Sequence, residues 1–263
     1  QGFKSALVIG LGSGITAGAL STLVMDKGKS DIDCVEIEPS VREAAEFFVA
    51  LNRQILEQPF FNLIFTDARH YLAANSVKKY DIIISEPSNP WISGIANLFT
   101  REAFQLGARR LAADGVFCQW LQSYSISEDD FKLVMRTFAS VFSGVALFAT
   151  ARNDYLMVGT NSPEGFSSDY LKIKEMFEMN PRLKRELEFI GIHQPFSLIT
   201  TTFMLDDREF RDYAFSKEEA LVHTDDKTTI EFTTPLYLYK NENEKILAGV
   251  ESAKKSFIPV WIK

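Results

Sequence analysis

The sequence predicts an α/β fold: a doubly wound, mostly parallel sheet of seven strands ending in an antiparallel hairpin, with a mainly helical extension behind it. Three observations carry this. Short apolar runs alternate with helical patterns over the first 160 residues, as strand–helix–strand units require. A Gly-rich turn, Gly10-Leu11-Gly12-Ser13-Gly14, joins the first apolar run to the first helical stretch. Only Arg152-Asn153-Asp154 separates the last two runs, which is too short for a crossover, so those strands run antiparallel.

The elements follow in order. Residues 6–9 are the first strand and 15–25 a small-residue helix. Residues 33–37 are the second strand. Ser40 and Glu43 fit a capping box, and Val41, Ala44, Ala45, Phe48 and Leu51 share one helical face. Residues 63–65 and 80–85 are strands three and four. Thr100 caps a helix reaching residue 113, before a fifth strand over 115–121. Ser127 opens a helix with Phe131, Val134, Met135, Phe138 and Val141 on one side. Residues 145–149 and 155–159 form the hairpin. Beyond residue 160, stretches 170–179, 182–190 and 208–215 read as helices, punctuated by Pro181, Gly191 and Pro195. In 229–239, Ile230, Phe232, Leu236 and Leu238 alternate with other residues, the mark of a late strand, and 240–245 reads as a solvated loop. The chain thus divides into a core over 1–160 and an extension over 161–263 that packs on the core rather than folding alone.

With 263 residues, 46% of them hydrophobic, the chain can bury a large core. A net charge of −7 argues against a nucleic-acid surface. Cys34 and Cys118 sit inside apolar runs and read as buried thiols of a reducing compartment. His70, His193 and His223 are far apart, and no metal site is expected. No apolar run approaches the ~20 residues of a membrane helix. Only five residues precede the first strand, as in an excised domain.

Chemistry-bearing residues gather at the predicted carboxyl ends of the strands, where open parallel sheets bind ligands. Gly10, Gly12 and Gly14 let the backbone turn tightly and approach a ligand. Ile15 occupies the third glycine position of the dinucleotide fingerprint, so the loop suits an adenosyl ligand better; a purely structural turn reads the same way. Glu36, at the end of strand two, can accept from both hydroxyls of a ribose. Asp67, after strand three, can accept from an adenine amino group or cap the next helix. After strand four comes Ser-Glu-Pro-Ser-Asn-Pro-Trp-Ile-Ser-Gly over 85–94, a turn stiffened by two prolines. Glu86 there can orient or deprotonate an attacking amine, with Asn89 beside it. Trp91, Trp120 and Tyr124 can wall a pocket; packing at strand ends explains them equally well.

Together these residues resemble the spermidine/spermine synthase family, the polyamine aminopropyltransferases, which belong to the class I S-adenosylmethionine-dependent methyltransferase superfamily with its Rossmann-like fold. The resemblance covers residues 6–159. Gly10, Gly12, Ser13 and Gly14 match the family's Gly-rich loop. Glu36, followed by Ile37, matches its ribose-binding Glu, and Asp67-Ala68 its adenine-side pair. Asp81 to Pro90, with Ser85 at the strand end, aligns with its strand and D-S-S-D-P loop. The resemblance implies catalytic roles for Glu86 and Asn89; Trp91, Gln119 and Tyr124 are the residues expected to bind the substrate. It also has departures. The two loop aspartates of the family fall on Glu86 and Asn89, and the Gly-loop Asp that meets the aminopropyl amine falls on Ser13.

The activity implied is aminopropyl transfer from decarboxylated S-adenosylmethionine to a polyamine or related amine, without a metal. Two alternatives stand beside it. One is methyl transfer from S-adenosylmethionine to a small amine, since Asn89-Pro90-Trp91 is similar to the N-P-P-Y loop of amine-methylating enzymes. The other is a non-catalytic nucleoside- or polyamine-binding module. The wording of 85–94, with Leu98-Phe99-Thr100-Arg101-Glu102, Gln119-Trp120 and the stretch from Thr224-Asp225-Asp226 to Glu231-Phe232, is similar to a bacterial branch whose domain often follows a multi-helix membrane region. The resemblance therefore implies a cytoplasmic domain, tethered to the inner membrane by an upstream region, that meets a small-molecule amine and forms a homodimer.

Overall fold

Apolar runs with alternating faces build one sheet. The computed structural model describes residues 3–24, 30–74, 77–151, 153–166, 170–216, 221–256, 258–259 and 262. Strands β1 (Ser5–Ile9), β2 (Asp31–Glu36), β3 (Phe61–Phe65), β4 (Tyr80–Ser85) and β5 (Leu111–Gln122) pair in parallel. β6 (Gly144–Ala151) and β7 (Asp154–Thr160) form the antiparallel hairpin, with β7 beside β5. β8 (Phe203–Leu205) adds antiparallel to β6. The spatial order is β3-β2-β1-β4-β5-β7-β6-β8. Chain order reverses at β1 and β4, which makes the crevice above them the ligand position expected of an open α/β sheet.

Helices cover both faces: α1 (Ile15–Leu20), α2 (Ser40–Glu46), α3 (Ala68–Ala73), α4 (Arg101–Arg110), α5 (Glu128–Ala139), α6 (Tyr170–Met179), α7 (Pro181–Phe189), α8 (Pro195–Thr202), α9 (Asp207–Ala214), α10 (Thr229–Thr233) and α11 (Asn243–Ala253). Because side chains alternate along a strand, each face has its own apolar cluster. Leu7, Ile9, Ile83, Phe117 and Leu121 pack with Phe104, Phe131, Phe138 and Phe210. Ala6, Val8, Ile32 and Cys34 pack with Ala17 and Leu20 of α1. Thr100, Ser127 and Asp67 cap α4, α5 and α3 by accepting from backbone N–H groups.

Several expectations are corrected. The sheet has eight strands, because three residues of the extension pair with β6. Residues 229–237 of that stretch are helical, α10 followed by a 3₁₀ turn (Thr234–Tyr237). Its apolar alternation yields to a different spacing: Ile230 and Thr234 are the fully buried pair, four residues apart, and the Thr234 hydroxyl donates to the Ile230 carbonyl. Pro235 also lacks the N–H that a central strand needs. The helix after Thr100 stops at Arg110, and Leu111 already pairs with Tyr80. The Arg110 guanidinium donates to the Lys78 and Tyr71 carbonyls at 3.1 Å each, which ties that junction down.

No capping box forms at Ser40; its N–H and hydroxyl donate instead to Glu38, at 3.0 and 2.7 Å. Of the face predicted after it, Ala45 is buried while Phe48 and Leu51 stay exposed. α1 ends at Leu20 in a 3₁₀ turn (Ser21–Leu23), and Met25 lies outside the described residues, as does Arg152 of the hairpin link. α8 was not expected, and α11 occupies sequence read as the end of a loop. Among the described residues, no helix is long and apolar enough to cross a membrane.

Candidate active site

The turn after β1 is built from glycine for a geometric reason. Gly10, Gly12 and Gly14 have φ of 91°, 50° and 76°, a region costly for other residues. A Cβ on Gly10 would also lie 3.3 Å from the Glu86 carbonyl oxygen. The loops leaving β1 and β4 therefore nearly touch. Across the turn, the Leu11 N–H donates to Glu36 Oε2 at 2.9 Å and the Glu38 N–H to Glu36 Oε1 at 3.0 Å. Two backbone donors thus hold this nearly buried carboxylate at the end of β2. Each oxygen keeps a further lone pair for a ligand hydroxyl.

A cleft of about 260 Å³ opens between the two loops, lined by residues 10–13, Thr16, residues 86–88 and Trp120. Among the described residues, Glu86 is its only charged side chain, and no Lys, Arg or His contributes to the lining. The Thr16 hydroxyl, from α1, donates to Glu86 Oε2. The Trp120 indole N–H, on the other wall, donates to Asp154 Oδ1 at 3.2 Å.

The remaining predicted residues divide. Asp67 is exposed and accepts from the His70 N–H at 2.8 Å, so it caps α3; Ala68 behind it is buried and Ile37 is exposed. Asn89 turns from the cleft and donates to the Tyr124 hydroxyl at 3.1 Å. Trp91 meets the Tyr124 ring edge-on, with centroids 6.1 Å apart. These three form a second polar–aromatic cluster outside the cleft lining. Gln119 and Ser85 are register partners in adjacent strands, both buried, on the core face shared with Phe117 and Leu121. Trp120 projects from the opposite face and lines the cleft, while Gln119 is absent from its lining. Its Nε2 donates to the Trp120 carbonyl at 3.0 Å, and its Oε1 lacks a partner among the described residues.

Sequence reasoning missed Thr16 and the braces of the loop. The Gly94 N–H donates to Glu231 Oε1 at 3.4 Å. In the following 3₁₀ turn (Ile95–Phe99), Ala96 O lies 3.0 Å from His223 Nε2, and Asn97 O accepts from Arg69 at 3.0 Å. Arg69 also forms a fork with Asp225. That guanidinium holds the Asp225 carboxyl below the usual carboxylate range. No sequence signal ties Arg69 or His223 to the loop, since they lie in other elements.

Two other features are set aside on chemical grounds. A larger groove, about 910 Å³, runs between α1, the turns after α2 and α7; it is lined largely by apolar residues such as Ile15, Leu51 and Phe189, and no strand end contributes to it. Near the amino end of the sheet, burial would raise the Asp33 carboxyl, but hydrogen bonds from Lys78, Tyr80 and Asn62 outweigh it and leave the group lowered. That cluster is internally satisfied and braces β2 against β4. Burial pushes the Cys118 thiol up to about 12 and raises that of Cys34, so both are poor nucleophiles. Among the described residues, no group of three or more His, Cys, Asp or Glu is placed to hold a metal ion.

The chain is similar to known proteins. Putrescine N-methyltransferase 2 of Nicotiana attenuata is 27% identical over 190 residues, covering 68% of this chain and 50% of that protein. Spermine synthase of Arabidopsis thaliana is 28% identical over 194 residues, covering 71% and 53%. The chain thus spans about half the length of these relatives. The crystal structure of spermidine synthase from Thermotoga maritima superposes with a TM-score of 0.56 at 20% identity, covering 68% of this chain and 60% of that one; it shares the fold. Residues 1–162 match the family model described as the spermine/spermidine synthase domain. That match takes in every strand from β1 to β7 and both loops of the cleft, and the chain belongs to the spermine/spermidine synthase domain family.

Proposed function

We propose that the chain transfers an aminopropyl group from decarboxylated S-adenosylmethionine to an amine or polyamine. The acceptor nitrogen attacks the propyl carbon bonded to the sulfonium, the C–S bond breaks, and its electron pair stays on sulfur. Methylthioadenosine leaves, and the amine proton passes to water. The sulfonium is a good leaving group, so the protein's task is alignment of nitrogen, carbon and sulfur at near-attack distance, ~3–3.5 Å between reacting atoms. Glu36 would take the ribose, with Ile37 and the Asp67-Ala68 turn beside the adenine. The Gly10–Gly14 turn would pass close to the sulfonium end.

The observation that carries this reading is the charge of the cleft. Its lining has one carboxylate and no cation. A donor that keeps its amine and has lost its carboxylate fits such a lining. The intact methionine moiety would bring a second carboxylate near Glu86 with no side-chain cation to receive it. The names of the relatives agree on the chemistry of the acceptor, since one is a putrescine N-methyltransferase and another a spermine synthase.

The test is product release. Purified protein with the decarboxylated donor and putrescine or spermidine should form methylthioadenosine, and Glu86→Ala should lower the rate ~100-fold or more. Turnover of intact S-adenosylmethionine to S-adenosylhomocysteine instead would replace this reading with methyl transfer. No product from either donor would reject catalysis for these acceptors.

A further inference from the structure

We propose that the groove between α1 and α7 is a second binding site, and that its ligand is an anionic amphiphile: a long-chain carboxylate lying singly along it. No strand end lines this groove, so the inference stands apart from the aminopropyl-transfer reading. Its volume, about 910 Å³, lies within the ~300–1,000 Å³ usual for a small-molecule site, where apolar walls carry a few polar groups. Ile15 of α1, Leu51 of the turn after α2, and Phe189 and Ile190 at the end of α7 line it. They remain 39%, 57%, 87% and 65% exposed. Apolar side chains that converge on one hollow and stay exposed mark a binding surface.

The walls are held in place by the protein itself. The buried Asn52 amide donates to the Ser13 and Ala45 carbonyls at 3.0 and 2.8 Å, which fixes the turn after α2 against the start of α1. Arg53 and Gln54 follow with φ of 60° and 54°, a left-handed backbone that such residues keep only where their surroundings impose it. From that turn the Arg53 side chain reaches α7, where Glu186 Oε1 accepts from its Nε at 3.1 Å. At the amino end of α7, the buried Asn180 donates to the Thr22 carbonyl at 2.7 Å.

Charge selects the ligand. The described lining has three arginines, one glutamate and no other charged side chain. Arg53 is paired with Glu186, while Arg182 and Arg185 have no ion-pair partner among the described residues. A chain of net charge −7 therefore presents a cationic hollow here, which repels polyamines and attracts an anion. The hollow is also polarised. Arg182 and Arg185 precede Leu187, Phe189 and Ile190 along α7, and Arg182 to Phe189 spans ~10 Å at 1.5 Å per residue. Guanidinium forks suit a carboxylate head, and the apolar end suits its alkyl tail. Apolar walls on two sides of a hollow take one chain rather than the flat face of a bilayer.

Calorimetric titration with dodecanoate, kept below its micelle-forming concentration, tests the site. Dodecanoate should bind saturably at one per chain. Dodecyltrimethylammonium, with the same tail and the opposite charge, should bind at least ~10-fold more weakly. Arg182→Ala combined with Arg185→Ala should weaken dodecanoate ~10–100-fold, the range of hydrogen bonds to a charged group. Phe189→Ser should weaken it ~5-fold or more through lost apolar burial. All three side chains are exposed, so the ligand-free melting temperatures of both variants should match the wild type. Lack of saturable binding overturns the site, as do equal affinities for the two amphiphiles or an unchanged dodecanoate affinity in the arginine variant. Sedimentation with phosphatidylglycerol vesicles, in place of saturable dodecanoate binding, would overturn it in favour of a bilayer contact. None of these titrations involves turnover, so failure of aminopropyl transfer would leave them unaffected.

Discussion

Glu36 uses two of its carboxylate's lone pairs on the turn that carries it, through the Leu11 and Glu38 N–H groups, and offers the others to a ligand. Glu36→Ala should therefore weaken methylthioadenosine binding by more than ~10-fold, the value of about two hydrogen bonds, and lower the melting temperature as well. Unchanged affinity in calorimetry would move the nucleoside elsewhere. Asp67 separates the same two effects more cleanly. Asp67→Ala should cost ~1 kcal/mol in urea unfolding through loss of the α3 cap. Asp67→Ser keeps a capping oxygen, so a fall in nucleoside affinity with stability held would report an adenine contact. Both residues were legible in the sequence because they stand at successive strand ends. Thr16 was not, because a Thr at the start of a helix reads as ordinary until Glu86 is folded against it.

At the scale of elements, α1 packs on the turn after α2 through Gly18. A Cβ there would lie 2.3 Å from the Asn52 carbonyl oxygen and 2.6 Å from its carbon. Both are backbone atoms that cannot swing aside, so Gly18→Ala should destabilise by ~3 kcal/mol in urea unfolding and loosen the Gly turn. A loss below about 0.5 kcal/mol would show that the two elements move apart freely.

The 85–94 loop and the turn after it are braced by tertiary contacts. Burial lowers the His223 pKa against the opposing pull of Asp225, Glu102 and Glu231. The ring is thus neutral in the fold, and since its partner Ala96 O can only accept, Nε2 carries the proton. The folded value lies below the unfolded ~6.5, so the unfolded state binds more protons as pH falls. Stability should be unaffected by this group above pH ~6.5 and decline from there toward the lower folded value. Melting temperatures at pH 7.5 and 5.5 should differ more for the wild type than for His223→Gln; equal differences would reject the assignment.

Over the whole molecule, residues of the extension are part of the larger apolar cluster. Phe210, Ile230 and Ile246 are fully buried in it, Arg211 donates to the carbonyls of Ala139 and Phe142, and β8 extends the sheet. We therefore propose that the extension and the core unfold together. Tryptophan fluorescence, which includes Trp91 and Trp120 by the cleft, and far-ultraviolet circular dichroism should trace one coincident urea transition. Phe210→Ala should shift both by ~3–5 kcal/mol. Two separated transitions, with only the dichroism moved by the variant, would make the extension an independent unit.

The alternation of apolar runs, the Gly turn and the brief hairpin link determined the sheet and the edge at which its strand-end loops gather, because strand burial, positive φ and chain reach are local properties of residues. The strand-end carboxylates and the 85–94 wording likewise gather at one edge of the sheet, where chemistry is expected. Only the tertiary structure decided which of these side chains share a cleft. Gln119 and Trp120 are neighbours in sequence yet point to opposite faces, and Asn89, three residues from Glu86, is drawn off to Tyr124. The late segment became helix because burial of Ile230 and Thr234 outweighed its apolar alternation. Orientation and partnership depend on what the rest of the chain packs against each element, and no local pattern encodes that.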